Sequence, residues 1–199
     1  MKEEKRIAIW AAHLSWDGGI DFLHYLVNGL NSVKEEYNLK IFLILPYDSV
    51  SELKYFTLAA LNSLKNKKAI SFKKHNINGK IRNAFQHSDV EIIYYNYLES
   101  DLQQKLKKIK AHVLLPVIKK FNINISIPWV GYIPDLQHIS LPHFFSDDEK
   151  LKRDKRYDEL LGCSRALIVN SISVKEELKN HFAAQGNVFN LSFCPPEPD

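Results

Sequence analysis

The chain has 199 residues, 45% of them hydrophobic and 12% aromatic, which suits one domain of ordinary size with a sizeable buried core. Its net charge of +4 is modest, and its basic residues are not interleaved with aromatics in any recognisable module, so nucleic acid is not an expected partner. No apolar run approaches about eighteen residues, and "MKEEKR" leads straight into a strand-like segment; neither a spanning helix nor a signal peptide is expected, and the expected location is the cytoplasm.

The first apolar run, "RIAIWAAH" (6–13), predicts a strand. "WDGGIDFLHYLVNGL" (16–30) follows, with Ile20, Leu23, Leu26, Val27 and Leu30 at three- and four-residue spacing, the pattern of a helix with one buried face. "LKIFLILP" (39–46) predicts the next strand. Gly18 and Gly19 therefore sit at the first strand-to-helix turn of a β-α-β unit. A helix start offers unpaired N–H groups and partial positive charge, and a residue without Cβ lets an anion approach them. The alternative is that the glycines supply positive φ in a tight turn. The spacing fits neither G-x-G-x-x-G nor G-x-x-x-x-G-K-[ST], and the second strand ends in proline rather than an acid, which disfavours an NAD-linked enzyme.

From Ser63 to Ser88 there is no acid, while Lys65, Lys67, Lys68, Lys73, Lys74, Lys80 and Arg82 all occur. Within it "KAISFKKH" is a strand candidate, and "VEIIYYN" (90–96) is another. A second basic stretch, "KLKKIKAHVLLPVIKKF" (105–121), surrounds an apolar centre; it fits either a surface that meets anionic lipid headgroups or a solvated helix face. "ISIPWVGYIP", "ALIVNS" and "VFNLSF" complete the strand candidates. Helix starts are marked by Ser followed three residues later by Glu or Gln, at Ser49, Ser100, Ser146 and Ser173, and Gly162 is a predicted C′ residue. Cys163 and Cys194 are far apart and in no metal-ligand spacing, so reduced thiols and no metal are expected.

Apolar strands alternating with helices predict an open, doubly wound α/β domain with a parallel sheet. Such sheets bind ligands outside the carboxyl ends of their strands. That rule places the Trp16–Asp21 turn, the Ile133–His138 segment and the turn after Asn170 on one edge. Asp135, which follows Pro134 at a strand end where the residue before proline is held extended, and His138 three residues on could orient or deprotonate a hydroxyl. A structural pair, with Asp135 capping a turn and His138 bonded to backbone, fits equally well.

"GYIPDLQHISLPHFFS", the later "DELLGCSRALIVNSISVKEEL" and the "GGI" turn together resemble the N-terminal half of family 4 (group 1) retaining glycosyltransferases. The resemblance implies a Rossmann-like domain over residues 1–199, the acceptor-side half of a GT-B architecture. Gly18 and Gly19 would face the diphosphate of a nucleotide-sugar donor. Asp135 and His138 would be the catalytic candidates, with His13 and Asp17 on the acceptor side and Asn170 and Ser171 at the cleft edge. Many relatives end this strand in a His-Asp pair; here Pro134 precedes Asp135, so the histidine's role is lost or moved to His138. Transfer in this architecture needs no protein nucleophile, no metal and no cofactor beyond the donor. The implied partners are a nucleotide-sugar donor, a saccharide or glycolipid acceptor and a donor-binding C-terminal domain, without which the chain is expected to be inactive. The implied setting is polysaccharide or glycolipid assembly, at the inner face of the membrane. A non-catalytic α/β binding or regulatory module is the alternative.

Overall fold

The computed structural model describes residues 3–46, 77–182 and 187–192. Seven strands are seen: β1 (Lys5–Trp10), β2 (Leu39–Pro46), β3 (Glu91–Tyr95), β4 (Val113–Val117), β5 (Trp129–Ile133), β6 (Ala166–Val169) and β7 (Val188–Asn190). They form one sheet in the order β3-β2-β1-β4-β5-β6-β7, every pairing parallel. Strands run up one side of β1 and then cross to the other at β4. This is the Rossmann-like doubly wound arrangement, with its topological switch point between β1 and β4.

The helices are α1 (Asp17–Ser32), α2 (Lys34–Tyr37), α3 (Ile77–Phe85), α4 (Glu99–Lys108), α5 (Gln137–Ser140), α6 (Asp147–Cys163) and α7 (Ile172–Phe182), with a 3-10 turn at Pro142–Phe144. Both sheet faces are covered. On one, Phe22, Leu23, Leu26 and Val27 of α1 and Ile81 and Phe85 of α3 pack on Ile9, Ile41, Leu43 and Leu45. On the other, Leu102 and Leu106 of α4, Tyr157 and Leu160 of α6 and Leu178 of α7 pack on Trp10, Phe42, Ile44, Leu114 and Val169. Alternation along each strand feeds both layers, which is why β2 is buried at every position but Lys40. Each large side chain so buried contributes about 1.5–3 kcal/mol.

Three local expectations are corrected. The basic stretch 105–121 is neither one helix nor one surface: it is the end of α4, strand β4 next to the switch point, and the loop beyond. Its apolar residues Leu106, Ile109, Leu114, Val117 and Phe121 are buried in the core, which withdraws most of its apolar centre from any anionic surface. Gly162 lies within α6, which ends at the Ser164 cap with extended backbone. Of the four proposed capping boxes, Ser146 forms a complete one with Glu149. Ser49 lies outside the described residues, as does the strand candidate "KAISFKKH". α4 starts one residue before Ser100, with Leu98 as an N-cap that makes no side-chain bond. In α7, Ser171 rather than Ser173 receives the first-turn amide, Val174 N at 3.2 Å.

Candidate functional site at the carboxyl edge of the sheet

Because every strand is parallel, the segments after β1, β4, β5 and β6 all emerge at one edge. After β1 the chain turns through Leu14 and Trp16 into α1. The amides of Gly19 and Ile20 both donate to Trp16 O, at 2.9 Å; those of Asp17 and Gly18 have no acceptor among the described residues, as the first amides of a helix normally do not.

The glycines are needed for space rather than for backbone handedness, since no described glycine has positive φ. A Cβ on Gly19 would stand 2.8 Å from Leu14 O and 3.0 Å from the Trp16 ring, whereas one on Gly18 would meet only the Trp16 indole, at 3.5 Å. Gly19 is buried and Gly18 exposed. The tight-turn expectation thus gives way to a steric one, and only Gly18 borders solvent.

At the end of β5, Asp135 Oδ1 accepts from its own turn, Gln137 N at 3.2 Å, and from Arg153 Nη1 of α6 at 3.3 Å. Its carbonyl accepts from Tyr157 OH at 3.0 Å. His138 is only 3% exposed. Its Nε2 lies 2.8 Å from Asp154 Oδ1, and a carboxylate can only accept, so Nε2 carries the proton. Nδ1 is buried without a partner among the described residues. Asp135 and His138 are therefore not bonded to each other; each is held by its own residue of α6. His138 is enclosed by Phe145 and Tyr157.

Asn170 ties two strand ends together. It accepts from Tyr132 OH at 2.9 Å and donates to Pro134 O at 3.4 Å. Burial pushes the Tyr132 phenol up to about 12, so it stays a donor. Ser171 is spent on capping α7. Asp17 is exposed and pairs with Lys80 at 3.1 Å, a surface contact worth little. His13 packs edge-on against Trp10 at 5.1 Å. Desolvation of its ring, and then the charge of Lys119, hold its pKa below the usual value.

That last pair marks what the sequence reading missed. Lys119 follows β4, so the loop beyond β4 meets the loop beyond β1 at the switch point, where open α/β sheets place their ligands. The signal is present in "IKKF", but it lies in a stretch that reads as either a lipid-facing surface or a solvated helix face when β4 is not separated from it. The loop is pinned from α4: Glu99 accepts from Asn122 N at 2.8 Å, Asn122 Nδ2 at 3.0 Å and Ile123 N at 3.0 Å. Gln103, the expected partner of Ser100, instead donates to Asn124 O at 3.3 Å and accepts from Ser126 N at 3.0 Å.

Among the described residues no cluster of His, Cys, Asp or Glu is arranged to hold a metal, and no helix is long and apolar enough to cross a membrane. No protein-family model matches the chain. No curated protein matches it in sequence.

Proposed function

We propose that the chain is the acceptor-side domain of a retaining glycosyltransferase of the GT-B type, working against a second Rossmann-like domain that binds the nucleotide-sugar donor. The observation that carries this reading is the common edge: the glycine turn after β1, Asp135 after β5 and Asn170 after β6 emerge at one edge of one parallel sheet, in the chain order of the family that the motifs resemble. In this reading the exposed start of α1, with the amides of Asp17 and Gly18, receives the donor diphosphate. Asp135, with a carboxylate 36% exposed and steered by Arg153, orients the acceptor hydroxyl. His138, through Asp154, positions the loop. The exposed Leu141 and Phe144 of the same loop suit a lipid-bearing acceptor, and such an acceptor would bring the protein to the inner face of the membrane.

A non-catalytic binding module is favoured by one observation: Asp135, His138, Asn170 and Ser171 all have structural partners. Transfer assays separate the readings. The chain alone is expected to fold and transfer nothing; combined with its donor-binding domain, it is expected to transfer sugar from a nucleotide donor with retained anomeric configuration. A complete two-domain assembly that binds nucleotide sugar yet never transfers it leaves the module reading standing.

A further inference from the structure

Between the loop after β4 and the outer side of α6 lies an open groove of about 700 Å³. Five cations line it, Lys119, Lys120, Lys152, Lys155 and Arg156, against the single carboxylate of Glu159. The four lysines are exposed, and none of the five cations forms a salt bridge among the described residues. Like charges gathered from two separate elements repel one another, and nothing in the fold requires them to meet. Arg156 is part-buried among these cations: its Nη2 donates to Tyr157 OH at 3.1 Å, its guanidinium lies over the Tyr157 ring at 4.9 Å, and its Nε, closed off from solvent, has no acceptor among the described residues.

We infer that this groove binds a diphosphate group. A single phosphate would engage two or three of the five cations, while two linked phosphates match a cluster that spans both walls, and the planar guanidinium of Arg156 suits phosphate oxygens. The groove adjoins the switch point through Lys119, and it is joined to the Asp135 loop by the Arg156–Tyr157–Asp135 chain of hydrogen bonds. The inference does not depend on sugar transfer. It assigns a ligand chemistry to side chains that the proposed reaction leaves unused.

The test uses the full chain. Calorimetry measures inorganic pyrophosphate, with sulfate at matched ionic strength as the comparison anion. Flotation measures neutral phosphatidylcholine vesicles with and without an isoprenoid diphosphate. The expected result is saturable pyrophosphate binding that sulfate does not reproduce. It should weaken about tenfold or more in Lys119→Glu with Lys155→Glu, and stay unchanged in Lys107→Glu with Lys108→Glu, which lie at the end of α4 and outside the groove. Should the double reversal fail to fold, Lys152→Gln with Lys155→Gln is the milder groove variant. Flotation with the doped vesicles alone, displaced by pyrophosphate, assigns the diphosphate to a lipid; pyrophosphate binding without flotation assigns it to a soluble molecule. Undiminished binding by a folded groove variant, equal affinity for sulfate, or no saturable binding of either probe overturns the proposal.

Discussion

At Gly19 an added methyl group would stand 2.8 Å from the Leu14 carbonyl, while at Gly18 the nearest atom would be 3.5 Å away. Gly19→Ala is therefore expected to lose about 1–3 kcal/mol, the cost of overpacking a tight site, read as a lower denaturant midpoint. Gly18→Ala should melt at or slightly above the parent, since alanine favours the helix. In a two-domain transferase it should slow transfer by roughly 100-fold if a diphosphate meets the start of α1; normal turnover in that variant removes the glycine turn from the donor site. His13 makes a second residue-scale prediction. Its folded pKa lies below the ordinary imidazole value of 6.5, so the unfolded chain takes up a proton first as pH falls. Its contribution is complete above about pH 6.5 and is lost as pH drops through the lower folded value. Thermal midpoints should thus fall more between pH 7.5 and 5 in the parent than in His13→Asn, and parallel curves would exclude the effect. The sequence made the glycine turn visible through spacing. It could not say which glycine is buried, because that depends on where the Leu14 carbonyl passes after the strand ends.

Helix α6 acts as a brace for the loop beyond β5. Arg153 holds the Asp135 carboxylate, Asp154 holds His138, and Tyr157 holds the Asp135 carbonyl. Tyr157→Phe keeps the packing and removes two hydrogen bonds, the one donated to the Asp135 carbonyl and the one accepted from Arg156, so a loss of about 1–3 kcal/mol is expected, with faster amide exchange concentrated in residues 135–141. Uniform exchange changes across the chain would contradict a local brace. Gly162, in open space inside the same helix, should accept alanine with a gain of about 0.5–1 kcal/mol. The start of α6 was legible because Ser146 and Glu149 satisfy each other within one turn. Ser100 was misleading because Gln103 makes long-range bonds to residues 124 and 126, and no local pattern reveals a partner more than twenty positions away.

Across the molecule, two buried phenols join strand ends. Tyr95 on β3 accepts from Trp10 Nε1 on β1 at 3.0 Å, spanning β2, and Tyr132 on β5 donates to Asn170 after β6 at 2.9 Å. Burial pushes both up to about 12 from 10.0. The unfolded chain therefore releases these protons first, and stability should decline once pH rises past about 10. Tyr132→Phe is expected to flatten that decline in alkaline unfolding curves; an unchanged slope would show that the phenol is not responsible. The parallel doubly wound sheet was readable as a whole, because strands such as "LKIFLILP" are apolar on both faces. The switch point was not, because β4 lies inside a lysine-rich stretch whose composition suggests a surface, although Leu114 and Val117 are fully buried.

Trp16, 47% exposed, folds its indole back over Gly18 and Gly19, while Trp10 is 6% exposed and packs on Phe121 at 5.0 Å. With the half-buried Trp129 at the start of β5, the molecule consequently carries three optical labels in contrasting surroundings, one over the start of α1, one inside the core and one at the opposite edge of the sheet. Emission from Trp16 should be reached by a dissolved quencher such as acrylamide, and emission from Trp10 should be shielded until the sheet opens. A ligand arriving at the glycine turn would dim or shield the Trp16 signal and leave those of Trp10 and Trp129 unaltered, so the occupancy of that edge can be followed by fluorescence without attaching any dye.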